Sequence, residues 1–239
     1  MNIGWDVDSY DRESSLYLLA YLDILGTTER IKDRTRSDET LNILHNLYTH
    51  ETSITKEVCK QESGIVFRIF SDNLVAAIPL PNDLVQSHWA ITLFMRCVSN
   101  IQSTCVGGSV GWLLRGGMTI GHAFVDDVMV WGEALVNAHY LESRLAVFPR
   151  VVFDETTADF LMKSKELSPF VNQDFDGVHY LNYLSNWMHC GEILEAGFER
   201  MKREAGMDDR PAVLQKLRWH LNYANSELEK KGEKTRLAF

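Results

Sequence analysis

Cysteine is scarce in this chain. Cys59, Cys97, Cys105 and Cys190 are scattered over 239 residues, and no two form a CxxC pair. That excludes a disulfide scaffold and points to a reducing, cytoplasmic setting with thiols used as small core residues. The eight histidines form no HxxxH pair and no Cys/His cluster, which removes a zinc site. Long apolar runs are missing too. Near the start the longest is 16–22, far short of the roughly 20 residues a membrane helix needs. The opening 13 residues carry Asp6, Asp8, Asp11 and Glu13, the opposite of a basic-then-apolar secretory signal. Basic residues are outnumbered, 24 Lys and Arg against 33 Asp and Glu, for a formal charge of −9. Such a balance argues against nucleic acid as the main ligand, because duplex binding draws on many cationic phosphate contacts. A small phosphorylated ligand needs only a few local cations, backbone amides or a metal, and stays open.

What is present is an ordinary globular composition, 45% hydrophobic and 24% charged. Five prolines and 15 glycines leave little room for a linker. Residues 1–15 read as a polar arm. Residues 16–25 read as a buried strand ending on a carboxylate. Leu41, Leu44, Leu47 and Ile54 space a helix over 38–60, with Asp38 as its N-cap. Strands over 65–70 and 74–80 flank the polar gap Ser71-Asp72-Asn73, a hairpin. A helix over 82–104 follows, then a strand over 112–121 with a short return at 123–125. A helix spans 133–147, a strand 150–153, a helix 155–164 and an edge strand 178–184. Two amphipathic helices fill about 190–236, broken near Asp208-Asp209-Arg210-Pro211. The order β-α-β-β-α-β-α-β predicts an α+β, ferredoxin-like (βαββαβ) fold, with an antiparallel-rich sheet and helices on one face. The units are then an N-terminal arm over 1–15, a main domain over 16–185 and a helical C-terminal extension over 186–239 packed on the same domain.

Asp23 and Asp72 stand out as lone carboxylates in apolar strand surroundings. Strand one and the first hairpin lie side by side in this topology, so the two acids are expected to meet at one end of the sheet. Paired carboxylates with an open face hold Mg²⁺ or Mn²⁺ and turn it on phosphates. Asp is also a common turn residue, the plainer account of Asp72. An unpaired buried Asp23 is harder to explain structurally. Gly26, Thr27 and Thr28 follow the strand and can offer backbone amides to phosphate. Asp6-Val7-Asp8 has the spacing of a phosphatase DxD, but no apolar strand precedes it. His122 is read as a surface or packing residue, and Glu142 as a local ion-pair partner.

LDILGT (22–27), FSDN (70–73), RGGMTIG (115–121) and WGEALVNAHYLE (131–142) occur in that order on matching elements. Together they resemble the catalytic domain of class III nucleotide cyclases, over about residues 16–155. The spellings look closest to the pyrimidine cyclases of bacterial Pycsar antiphage systems. The resemblance implies that Asp23 and Asp72 hold two divalent cations, Mn or Mg, with the Ile24 carbonyl as a further ligand. It implies that the amides of Leu25, Gly26, Thr27 and Thr28 bind the β- and γ-phosphates, and that the product is a 3′,5′-cyclic nucleotide. It also implies a homodimer with sites shared between protomers, and a separate cyclic-nucleotide-binding effector protein.

The departures from the family pattern carry the specificity. Purine-reading members place a lysine where this chain has Arg68, and an acid where it has Met129. Met cannot hydrogen-bond a purine edge, whereas Arg68 can donate to a pyrimidine carbonyl, which suits UTP or CTP. The family's Asn and transition-state Arg fall on Val136 and Tyr140, and Asn137 comes one residue late. Arg144, four residues beyond Tyr140, is the expected replacement catalytic cation, with Arg150 as its competitor. Tyr140 is then left to line the base pocket. Two other readings stay open: a catalytically inactive cyclase-homology module used for binding or dimerisation, and a dinucleotide cyclase or polymerase-like transferase on the same fold.

Overall fold

A central strand flanked on both sides organises the molecule. The computed structural model describes residues 12–58, 64–81, 83–107, 110–185, 191–205 and 211–239. Strand β1 (Ser15–Ile24) pairs antiparallel with β3 (Asn73–Pro79) on one side and with β4 (Leu114–Val125) on the other. β2 (Val66–Phe70) pairs with β3, and β6 (Val151–Phe153) runs parallel to β4. β8 (His179–Leu181) and β7 (Val171–Gln173) complete the order β2-β3-β1-β4-β6-β8-β7, while the two-residue β5 (Val130–Trp131) pairs only with the end of β4. The first four of these strands, with α2 (Arg34–Val58) and α3 (His88–Val106) as crossovers, make the expected ferredoxin-like core.

Period-two alternation in β1 sorts its side chains. Leu18, Ala20, Leu22 and Ile24 face the main core, with Leu47, Phe94, Val98, Ile101 and the C-terminal helices. Tyr17, Leu19 and Tyr21 face the other way, onto α4 (Glu133–Tyr140) and its Ala134 and Ala138. Helices therefore cover both faces, not one as expected, because α4 is short and small-sided enough to lie flat on the second face. The RGGMTIG stretch makes that possible. A Cβ on Gly117 would sit 2.1 Å from the Ala138 carbonyl, and one on Gly121 would sit 3.3 Å from the Ala134 Cβ. Glycines four apart on the strand thus meet alanines four apart on the helix.

Several boundaries differ from the sequence expectation. A short helix α1 (Thr27–Lys32) precedes α2, which starts at Arg34 rather than at 38. Asp33, not Asp38, caps it, its Oδ1 accepting from the amides of Thr35 (3.0 Å) and Arg36 (3.3 Å). The hairpin gap is two residues, since Asn73 already pairs with Phe70. α3 runs to Val106 after a 3₁₀ turn over Leu84–Ser87. β4 is one strand of 12 residues, and its return is β5, after a turn in which Asp126 Oδ1 accepts from the amides of Val128 and Met129. The 133–147 helix is α-helical only to Tyr140 and continues as a π-helical turn over Leu141–Leu145. Residues 178–184 are no edge, because β7 closes the sheet outside β8. Helix α5 (Glu155–Met162) is capped by Asp154, which accepts from the Thr157 amide. Cys97 and Cys105 are buried as expected, while Cys59, Cys190, Asp6, Asp8 and residues 206–210 lie outside the described residues.

Helices α6 (Gly191–Ala205) and α7 (Pro211–Lys230) bury Leu194, Phe198, Met201, Leu217, Tyr223 and Leu228 in the same core as the sheet. Polar contacts fix their placement. The buried Glu227 accepts from Asn182 Nδ2 (3.0 Å), and Tyr223 Oη donates to Asn182 Oδ1 (2.8 Å). His220 is fully enclosed beside Tyr183, with Nε2 2.7 Å from its hydroxyl, and burial pushes its pKa down to about 4. A depressed native pKa gives stability that is complete above the unfolded value near 6.5 and lost as the pH falls toward about 4. Within that window this group contributes a slope of about 1.4 kcal/mol per pH unit. Chemical denaturation of a His220→Gln variant between pH 4 and 7 is expected to show a pH slope shallower by about one proton than the parent's.

Candidate active site

The last residues of β1 and the β2–β3 turn place four oxygen-bearing groups together. Asp23 follows Leu19 and Tyr21 onto the α4 face, opposite Asn73 on one neighbour and Arg115 on the other. Asp72 occupies the tight turn after Ser71, whose φ of 58° holds the left-handed conformation such a turn demands. Gly26, with φ 86°, breaks β1 from α1 and brings Thr27 back against the turn. The buried Thr27 hydroxyl donates to the Asp72 carboxylate and lies 3.2 Å from the Ile24 carbonyl. Asn73 Nδ2 donates to the other Asp72 oxygen at 3.2 Å.

Arg115 organises Asp23. Its Nε donates to Asp23 Oδ2 at 3.0 Å, and its Nη2 lies 2.7 Å from Oε1 of the buried Glu142. Burial holds the Asp23 carboxyl above the usual carboxylate range; Arg115 pulls it down, Asp72 pushes it up, and Lys216 of α7 pulls it down. Glu142 is raised as well, first by burial. The sequence reading gave Arg115 no role of its own within RGGMTIG. The signal available was a charged residue beginning an otherwise apolar strand, paired in topology with the strand that ends on Asp23.

The donor set suits a hard cation. Asp23, Asp72 and the Ile24 carbonyl offer only oxygens, as Mg²⁺ and Mn²⁺ prefer. Among the described residues no group of three or more His, Cys, Asp or Glu gathers to hold a metal ion. Two carboxylates with a ligand's phosphates and water are the usual Mg²⁺ complement. One expected phosphate donor is already spent: the Leu25 amide donates to the Leu113 carbonyl at 2.8 Å. Gly26, Thr27 and Thr28 remain at the start of α1, where the first amides of a helix have no preceding turn to bond.

Beside this cluster lies a cavity of about 520 Å³ lined by Tyr21, Arg68, Phe70, Met129, Val136 and His139, among others. Tyr21 meets His139 edge-on at 5.1 Å between ring centroids. The Arg68 guanidinium is held by the Phe67 carbonyl (2.9 Å), the Asp126 carbonyl and Asp127 (3.2 Å), while its buried Nε has no partner among the described residues. Arg68 and Met129 are thus brought together as the sequence suggested. Tyr140 is not: it is exposed and outside the cavity lining, and Val136 and His139 occupy the wall instead. Tyr140 is the last residue of α4, one turn beyond Val136, and falls past the end of the lining. Arg144 is exposed and without a partner among the described residues. Arg150 is ruled out as its competitor, being fully buried between Asp174 and Asp176 under the Phe148 and Trp219 rings. Asn137 and His122 are exposed.

No family model matches the chain, and no curated protein matches it. Solved structures do. The monomeric guanylyl cyclase domain of the RhoGC fusion protein from the aquatic fungus Blastocladiella emersonii superposes with a TM-score of 0.51 at 18% identity, covering 71% of this chain and 95% of that one. The guanylate cyclase domain of RhGC from Catenaria anguillulae, solved in complex with GTP, gives 0.51 at 16% identity, covering 72% and 98%. The fold is therefore the mixed α+β fold of class III cyclase catalytic domains, carrying C-terminal helices. This chain has a quarter or more of its length outside the superposed part. No described helix is long and apolar enough to cross a membrane.

Proposed function

We propose that this protein is a metal-dependent pyrimidine nucleotide cyclase that converts UTP to 3′,5′-cyclic UMP and pyrophosphate, with CTP as the alternative substrate. The observation that carries the reading is the placement of Asp23, Asp72 and the Ile24 carbonyl at the sheet end beside a cavity walled by Arg68 and Met129. Those three groups would hold divalent cations, Mn or Mg, which when bound lower the pKa of the ribose 3′-hydroxyl and neutralise the leaving pyrophosphate. The amides of Gly26, Thr27 and Thr28 face the phosphates. Arg68 Nε offers a buried donor to a base carbonyl, and Met129 offers nothing to the amino or ring nitrogens of a purine. Uracil presents two carbonyl oxygens and cytosine one, so a guanidinium wall favours UTP.

By the same reading the enzyme is a cytoplasmic homodimer in which one protomer gives the metal carboxylates and its partner the base pocket and Arg144. The cyclic product then acts on a separate cyclic-nucleotide-binding effector in antiphage defence, which rests on the sequence resemblance alone. Val136 and Tyr140, standing where cyclases carry Asn and Arg, favour the second reading of an inactive binding or dimerisation module.

Incubating the protein separately with ATP, GTP, CTP and UTP, with Mn²⁺ or Mg²⁺, and identifying products by mass tests the proposal. Cyclic UMP is the expected product. Absence of a product from all four, with folded dimer and metal present, favours the inactive module. Arg68→Ala is expected to lower kcat/KM for UTP by about tenfold or more, the value of a buried charge-assisted hydrogen bond, while leaving triphosphate affinity largely intact. An unchanged substrate profile removes Arg68 from base reading.

A further inference from the structure

The phosphate end of the site is not held by the sheet alone. Helix α1 has six residues, too few to hold its own shape in water. Gly26, which joins it to β1, has no atom of the described residues within 4 Å of where a Cβ would be, so the joint itself is held only by its neighbours Leu25 and Thr27. Other contacts must fix the helix. Leu25 is bonded to Leu113, and the neighbouring Trp112 is buried beneath α1. Arg30, in the last turn of α1, lays its guanidinium over the Trp112 indole, 4.8 Å from the ring centroid. The same guanidinium pairs through Nη2 with Glu204, at the C-terminal end of α6. Glu204 in turn lies 3.7 Å from Arg200, which stands 3.6 Å from Glu39 of α2.

Helix α6 is a firm anchor. A Cβ on Gly197 would meet the Val106 carbonyl at 2.0 Å, so α6 lies directly on the end of α3, with Leu194, Phe198 and Met201 in the core. Arg30 is 14% and Glu204 30% exposed, so the pair is sheltered from full solvent screening.

We propose that Arg30 and Glu204 are positioning residues for the triphosphate: α6 of the C-terminal extension clamps α1 so that the amides after Gly26 and the Thr27 hydroxyl stand ready for the phosphates and Asp72. This rests on the cyclase reading of the site. A loop that must order itself on binding loses affinity to the ordering entropy, and one held in advance does not. The clamp acts through α1 and touches no reacting atom.

Glu204→Gln keeps the shape and removes the charge. In the ligand-free protein, amide exchange over residues 24–32 is expected to quicken about fivefold, with exchange in β1 and β3 unchanged. By calorimetry, the Kd of the Mn²⁺–UTP complex is expected to rise about tenfold, while kcat stays within about twofold. Glu204→Asp, which keeps the charge, restores part of the affinity. Faster exchange with unchanged affinity makes the pair merely structural and overturns the proposal, as does no change in either. If the parent protein binds none of the four nucleoside triphosphates with Mn²⁺, the cyclase reading itself falls and this proposal with it. Binding by the parent that Glu204→Gln leaves untouched removes the clamp alone.

Discussion

Asp23→Asn is expected to reduce cyclic nucleotide formation by about a thousandfold or more, the scale of losing a metal-holding carboxylate from a reaction driven by charge stabilisation. The fold is expected to survive it. Asp23 is partly buried and its carboxyl is held above the usual range by desolvation, so a neutral amide relieves that cost even as it loses charge toward Arg115. A melting temperature within about 3 °C of the parent, less than 1 kcal/mol for a chain of this size, is the expected outcome. Loss of Mn²⁺ binding, followed by electron paramagnetic resonance, separates a metal role from a purely electrostatic one. Retained turnover removes Asp23 from the metal site. The pH dependence follows from the same group. With its native pKa raised, Mn²⁺ affinity on the proposed reading is expected to weaken as the pH falls at values where an ordinary aspartate is still ionised, which titration of Mn²⁺ binding against pH checks.

Mixing Asp72→Ala protomers with Arg144→Ala protomers, each inactive alone, is expected to restore about a quarter of the parent activity. Random pairing makes about half the dimers mixed, and each mixed dimer has one intact site of two. The structure gives this its motive. Arg144 lies exposed in the π-helical turn with no partner among the described residues, so its guanidinium is open to a group from outside the protomer. Asp72 sits in the β2–β3 turn, engaged by Thr27 and Asn73. No recovery in a mixture with confirmed mixed dimers places all the machinery in one protomer.

Much of the core was legible because it follows period rules. The apolar run over 16–25 and the helical spacing over 82–104 both report burial, which is why those two elements could be read. Asp23 was legible for the converse reason, as a charge in a strand with no other use for one. Unreadable features depended on contacts between distant segments. Arg115 acquires meaning only when register sets it against Asp23, and Glu142 only when α4 lies on β4. Leu25 loses its amide to Leu113, a residue 88 positions away, which no local pattern foretells. Short strands such as β5 and β7 are made by pairing rather than by propensity, so their two or three residues carry no signal of their own. Arg150 read as a free cation because its neutralising partners, Asp174 and Asp176, arrive from another hairpin.

The double pairing of β1 has a mechanical meaning. Seven residues of the strand are matched to β3 and ten to β4, so Asp23 cannot slide without breaking both ladders, and a one-residue slip would turn it to the opposite face. Its carboxylate is an anvil, fixed to the stiffest part of the molecule. Helix α1, beside it, is held instead by side-chain contacts, Thr27 to Asp72 and Arg30 to Glu204. On the proposed reading, a change that switches this site is expected in the side-chain contacts around the strand rather than in the doubly paired strand itself.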